Sequence, residues 1–219
     1  MKTKESKFKI AIINYNLSNL YSINNALSSL KYNTIITNSK KDILSSDLVV
    51  LPGVGAFNKA ISNLKNMKIF DLIQSIYINK KPILSICLGM QMMFENSEEF
   101  GNSMGLSIIK GNVYSFKYFN KEMVIPHVGW NNVKINLQNK RLNKFLNLKK
   151  NFSKNKFYFV HSYFVKPKSN NDILTITNYN GYNFCSSILK NNLLACQFHP
   201  EKSGKNGLKL IDSFIRSIL

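Results

Sequence analysis

Lys81-Pro82-Ile83-Leu84-Ser85-Ile86-Cys87-Leu88-Gly89-Met90-Gln91-Met92-Met93-Phe94 is the stretch around which the rest of the chain is organised. Its first half is an apolar run opened by proline, too short for a helix and partly β-branched, which reads as a buried parallel strand. The spacing after Leu88 is helical. Cys87 falls at the join. A sharp strand-to-helix turn lifts a side chain clear of the sheet, and the helix N-terminus behind it favours an anion, so the position promotes a thiolate. Gly89 supplies a small neighbour two residues after the sulfur, whereas Ser85 stands two residues before it, where glycine is the usual choice.

Taken alone, Cys87 reads as a buried core thiol, because free cysteine is among the most buried residue types. A second stretch, Ala195-Cys196-Gln197-Phe198-His199-Pro200-Glu201, shifts the balance. In an extended segment residues i and i+2 share a face, so His199 and Glu201 point toward one site, with the carboxylate orienting the ring. Cysteine, histidine and acid then form a triad.

Ile86-Cys87-Leu88-Gly89-Met90-Gln91 and Gln197-Phe198-His199-Pro200-Glu201-Lys202-Ser203 resemble the nucleophile and histidine motifs of the class I, triad-type glutamine amidotransferases. Within that group, Leu51-Pro52-Gly53-Val54-Gly55-Ala56-Phe57, Pro126-His127-Val128-Gly129-Trp130-Asn131 and Phe159-Val160-His161-Ser162-Tyr163 resemble one family, the glutaminase subunit of imidazole glycerol phosphate synthase. The resemblance runs from about Lys9 to Leu219. It implies Cys87, His199 and Glu201 as the catalytic residues. It implies an oxyanion hole at Gly53, Val54, Gly55 and Leu88, with the amides of Val54 and Leu88 as donors after a peptide rearrangement. Gln91, Ser162 and Tyr163 would hold substrate glutamine, and Trp130, Asn131, Tyr158 and Lys202 would face a partner. That partner is implied to be a (β/α)8-barrel cyclase, forming a heterodimer that makes imidazole glycerol phosphate and an aminoimidazole carboxamide ribotide in histidine biosynthesis. No cofactor and no metal are implied.

The oxyanion reading has its own physical basis. Negative charge develops on the amide oxygen in a tetrahedral intermediate, and backbone N–H groups of a glycine-rich loop reach it without side-chain obstruction. An ordinary tight turn is the bland alternative. Half of a dinucleotide-binding loop fits poorly, because Asn58 stands where the third glycine should fall and the strand before it is not the first.

At 219 residues, 44% of them hydrophobic, the chain fits one α/β domain over 1–219, with 1–7 a loose N-terminal extension. No apolar run approaches the roughly 20 residues of a membrane helix, and the charged Met1 to Lys7 lack the apolar core of a signal peptide. A cytosolic protein is expected. Cys87, Cys185 and Cys196 form no disulfide framework, as suits a reducing compartment, and a zinc site begun by Cys196 and His199 lacks a second pair at zinc spacing. The net charge of +19 comes almost wholly from dispersed lysine, Arg141 and Arg216 being the only arginines. It lacks the arginine forks of a phosphate footprint, so no nucleic-acid partner is expected. Met123 to Asn171 contain no Asp or Glu, which reads as a solvated loop and helix face, with Lys149 and Lys150 exposed.

The expected fold is a single-domain class I glutamine amidotransferase fold, with a mostly parallel central sheet flanked by helices and additional antiparallel strands. Phe8 to Asn14 read as the first strand, and Leu17, Leu20, Ile23, Leu27 and Leu30 give a helical face. Between them the family usually has an aspartate and two glycines, where this chain has Asn14, Asn16 and Ser18. Asparagine tolerates left-handed backbone, so Asn16 keeps the turn. Thr34 to Thr37 and Asp47 to Leu51 are strands, and Ala60 to Leu64 and Phe70 to Ile78 are helical. Gln91 lies one helical turn beyond Cys87 on the same face, and Glu95, Glu98 and Glu99 read as surface acids. Val113 to Phe116, Met123 to Ile125, Asn132 to Ile135, Phe157 to Val165, Ile173 to Thr177, Ser187 to Leu189 and Leu193 to Gln197 read as strands, and Gly207 to Leu219 as a closing helix. His161 reads as a satisfied core histidine. Two rival functions keep this fold: a paralogous glutaminase feeding surface-sugar amination, and a catalytically silent regulatory or nucleic-acid-binding subunit.

Overall fold

The computed structural model describes residues 8–17, 19–139 and 156–219. The extension expected at 1–7, the Ser18 departure, Arg141, Lys149 and Lys150 lie outside the described residues. Four strands build the parallel half of the sheet: β1 (Lys9–Ile13), β2 (Asn33–Thr37), β3 (Leu48–Leu51) and β4 (Ile83–Ile86), in the order β2-β1-β3-β4. β14 (Leu193–Cys196) adds to β4, again parallel. All residues of β3, β4 and β14 are buried, because helices cover both faces; that is why these strands read as short continuous apolar runs.

Side-chain alternation divides the core. Ile10, Ile12, Leu84 and Ile86 pack with Ile23 and Leu27 of α1 (Leu20–Ser29) and with Leu210 and Phe214 of the last helix (Gly204–Arg216). On the other face Ile13, Val49, Leu51 and Ile83 pack with Phe57 and Leu64 of α3 (Phe57–Asn66) and Ile73 of α4 (Phe70–Ile78). A short α2 (Lys40–Ser45) links β2 to β3. At the turn before α1, Asn16 adopts φ 67° and the Asn14 side-chain oxygen accepts from its N–H at 3.1 Å. The polar turn is therefore kept without the family's glycine.

Beyond β14 the sheet turns antiparallel through β13 (Tyr182–Lys190), β11 (Tyr163–Pro167) and β7 (Ile109–Ser115), then reaches β5 (Phe94–Ser97) and β6 (Ser103–Met104). β12 (Ile173–Tyr179) pairs with β13 and with β9 (Lys134–Ile135). A separate two-stranded sheet joins β8 (His127–Asn132) to β10 (Lys156–His161). No described helix is long and apolar enough to cross a membrane.

Three expectations change. The strand read over 157–165 is broken at Ser162: His161 pairs with His127 in the small sheet, while Tyr163 pairs with Ser115 in the large one. Composition marks both halves as strand and gives no sign of the switch between sheets. Met123 to Ile125 form no strand, because the Met123 N–H is taken by the Asn120 carbonyl in a turn and the Val124 carbonyl by the Tyr179 hydroxyl. The helix after the Cys87 turn, α5 (Leu88–Met92), stops after five residues, and Phe94 is already in β5.

Candidate active site

Cys87 leaves β4 with φ 54° and ψ −111°, a conformation that an L-residue adopts only under strain of about 1–3 kcal/mol. Its N–H continues the strand pairing to the Cys196 carbonyl at 2.7 Å, and α5 begins at the next residue. The turn is this tight because Gly89 brings α5 down on the end of β3; a β-carbon there would run into the Leu51 carbonyl oxygen. The sulfur lies 3.9 Å from the Val160 carbonyl oxygen and 3.7 Å from the Gln197 amide nitrogen.

His199 arrives from the neighbouring strand, two residues after Gln197 leaves β14. Its N–H donates to the Tyr158 carbonyl at 2.9 Å, and its own carbonyl accepts from Ser203 Oγ at 2.6 Å. Its Nδ1 is 2.7 Å from Glu201 Oε1, and both side chains are almost wholly buried. On an extended segment the two side chains would share a face by alternation. The chain instead makes a 3-10 turn at Pro200–Lys202, and this turn swings the carboxylate under the ring. Burial opposes the imidazolium, but negative charge at Cys87 and the hydrogen-bonded Glu201 carboxylate outweigh it and push the His199 pKa up to about 10. Nε2 is buried, and Cys87 acts on the ring both through its charge and as a hydrogen-bond acceptor. Burial holds the thiols of Cys185 and Cys196 protonated.

A cavity of about 490 Å³ opens in front of the sulfur, and Val54, Gly55, Cys87, Leu88, Gln91, Ser162 and Tyr163 all line it. Gly53 is buried against Tyr15, Leu88 and Gly89 and does not line it. The Val54 N–H donates to the Leu17 carbonyl at 3.0 Å, and Gly55 takes φ 99°. The Val54 amide, expected as an oxyanion donor, is thus engaged away from the cavity. Leu88 is the first residue of α5, a position whose N–H has no partner inside the helix.

The remaining expected residues do not share one face: Trp130 meets Tyr158 across the small sheet, whereas the Asn131 side chain turns to the other face and donates to the Asn178 carbonyl at 2.8 Å. Trp130 is 53% exposed on β8, with Asn131 beside it and Tyr158 opposite on β10, the two rings 6.1 Å apart. Lys202 is exposed on the 3-10 turn that carries Glu201.

Glu99, a surface acid by its sequence context, is instead the carboxylate among the cavity-lining residues. Its Oε2 accepts from the Phe57 N–H at 2.7 Å at the start of α3, and burial raises its pKa. Charge alone singles out none of the three nearby glutamates; what selects Glu99 is a backbone 42 residues away. His161 also lines the cavity but is committed elsewhere. Its Nδ1 donates to the Tyr163 carbonyl at 2.7 Å and its Nε2 accepts from His127 Nδ1 at 3.0 Å, with burial lowering its pKa to about 3. Neutral and doubly bonded, it is a poor base.

A strained cysteine at a strand-to-helix turn, a histidine paired with glutamate behind it and a glycine loop across the cavity are the parts of an amide-hydrolysing thiol site, and the chain belongs to the class I glutamine amidotransferase family. The profile of that family, described as Glutamine amidotransferase class-I, matches residues 11–217. Imidazole glycerol phosphate synthase subunit HisH of Methanocaldococcus jannaschii is 48% identical over 94% of this chain and 98% of its own. Subunit HisH 1 of Methanococcus maripaludis is 46% identical over 95% and 100%. Within the class, the chain therefore sits in the HisH branch. Among solved structures, a glutamine amidotransferase superposes with TM-score 0.72 at 12% identity over 95% of this chain and 98% of that one. PurLQS from Thermotoga maritima also gives 0.72, at 17% identity over 95% and 98%. At such identities they bear on the fold alone.

Proposed function

We propose that this chain is the glutaminase subunit of an imidazole glycerol phosphate synthase, with Cys87 as nucleophile, His199 as acid and base, and Glu201 as the group that orients the imidazole. The observation that carries the residue roles is the buried 2.7 Å His199–Glu201 pair behind a cysteine held at φ 54°.

Glutamine enters the cavity with its ammonium group toward the Glu99 carboxylate and its carboxylate toward Ser162 and Tyr163. Its side-chain carbonyl carbon meets the Cys87 sulfur, and the developing oxyanion is held by the Leu88 amide. The Val54 amide joins once it leaves the Leu17 carbonyl, a local peptide rearrangement that Gly55 permits. Collapse of the tetrahedral intermediate breaks the C–N bond. His199 gives its proton to the leaving nitrogen, which departs as ammonia, and a glutamyl thioester remains on Cys87. His199 then takes a proton from water as that water attacks the thioester, and glutamate leaves as the sulfur is restored. Glu201 keeps its charge throughout and stabilises the imidazolium.

Ammonia passes to a (β/α)8-barrel cyclase seated against Trp130, Tyr158 and Lys202, which closes the imidazole ring of imidazole glycerol phosphate. Three free cysteines suit a cytosolic setting. The test is glutamate release in the presence of the cyclase and its ligand. His199→Asn should abolish turnover, whereas Glu201→Gln should leave a measurable fraction. A wild-type rate for His199→Asn would remove the mechanism.

A further inference from the structure

Gln197 is fully buried, does not line the cavity, and reaches the sulfur from behind. Its side chain belongs to a line of amides whose orientation is dictated from one end. The Tyr163 carbonyl can only accept, so the Gln91 side-chain atom 3.0 Å from it must be nitrogen. The same nitrogen stands 3.1 Å from the Gln197 carboxamide and donates there too, so the Gln197 atom facing it must be oxygen. The remaining Gln197 atom, 3.7 Å from Cys87 Sγ, is then the NH2 group. One backbone carbonyl, acting through two amides, thus aims a donor at the nucleophile. The Tyr163 carbonyl is itself held by His161 Nδ1 at 2.7 Å, and the Gln197 N–H by the Ser186 carbonyl at 2.9 Å, so neither end of the line is free to turn.

We infer that Gln197 is a positioning residue for the glutaminase reaction: its carboxamide N–H stabilises the Cys87 thiolate on the side opposite the cavity and holds the sulfur in line for attack. A neutral donor is well suited to this place. It favours charge on sulfur without competing with His199 as a proton source, and the favour lapses once the sulfur is acylated and neutral. The same arrangement uses both hydrogens of the Gln91 amide, leaving its Oε1 as the atom that can face the substrate.

The inference rests on the glutaminase reading, but its first test does not use glutamine. Gln197→Glu keeps the shape and the acceptor for Gln91 while losing the donor; Gln197→Met keeps only the shape. The whole chain is treated with iodoacetamide at neutral pH, the Cys87 peptide is followed by mass spectrometry, and thermal melts are recorded alongside. Cys87 alkylation should slow about tenfold or more in both variants, the scale of one hydrogen bond to a charged group. Where a variant melts as the wild type does, alkylation within twofold of wild type overturns the inference. If Gln197→Met fails to fold, Gln197→Leu, which also lacks both the donor and any added charge, decides in its place, because the carboxylate of Gln197→Glu would slow alkylation by repulsion alone. A second readout is glutamine turnover with the cyclase present: kcat should fall with KM little changed, and a rise in KM at constant kcat would make Gln197 a substrate-binding residue instead. Slower alkylation in a chain whose wild type releases no glutamate would uphold Gln197 as donor while removing the glutaminase reading.

Discussion

Replacing Cys87 with glycine should stabilise the protein relative to alanine, the reverse of the usual order. Both changes remove the sulfur and its hydrogen-bond contacts, so their difference isolates the β-carbon. At φ 54° and ψ −111° that carbon is strained by about 1–3 kcal/mol. Glycine elsewhere costs about 0.5–1 kcal/mol against alanine through backbone entropy. The surplus favours glycine by about 1 kcal/mol, or about 2–4 °C in melting temperature for a chain of this length. Urea unfolding of the two variants under identical conditions measures it, with glutamate release confirming that both are inactive. If Cys87→Gly proves less stable than Cys87→Ala, the turn is not strained and the argument that function holds Cys87 in an unfavourable conformation fails.

His161, with its pKa lowered from 6.5 to about 3, binds protons in the unfolded chain before it does in the folded one. Its contribution is present above about pH 6.5 and is lost as pH falls toward 3, amounting to about 2 kcal/mol by pH 5. His161→Asn should therefore flatten the decline in stability between pH 7 and 5, and an unchanged slope in urea titrations would refute the neutral assignment. Ser85 has a fully buried hydroxyl without a hydrogen-bond partner. Ser85→Ala should raise stability by about 1 kcal/mol in the same assay, and a loss would mean that the hydroxyl has a role in the strand. Trp130→Ala should weaken binding of the cyclase by about 1 kcal/mol or more without altering the melting temperature; titration calorimetry giving wild-type affinity would move the interface elsewhere.

What was legible in the sequence follows from how each signal arises. Strands buried on both faces are written as apolar runs, so β1, β3, β4 and β14 are readable at once, whereas Cys87, which alone reads as a core thiol, stands out only when the distant His199 and Glu201 are read with it. His199 and Glu201 are near neighbours in sequence, and their pairing was accessible even though the geometry turned out to be a 3-10 turn rather than an extended segment. The features that escaped depend on distant backbone. Glu99 is drawn into the cavity by the Phe57 N–H, and the break at Ser162 exists because two different sheets claim its neighbours. The Gln197 contact depends on Tyr163 and Gln91 together, residues that no local pattern connects to it.

The most direct test of the central claim is covalent labelling with a glutamine-like diazoketone, followed by peptide mapping with and without excess glutamine. The account predicts a single adduct on Cys87, slowed by glutamine and lost in Cys87→Ala, with Cys185 and Cys196 untouched because burial keeps both protonated. An adduct on either of those cysteines, or labelling of Cys87 that glutamine does not slow, would contradict it.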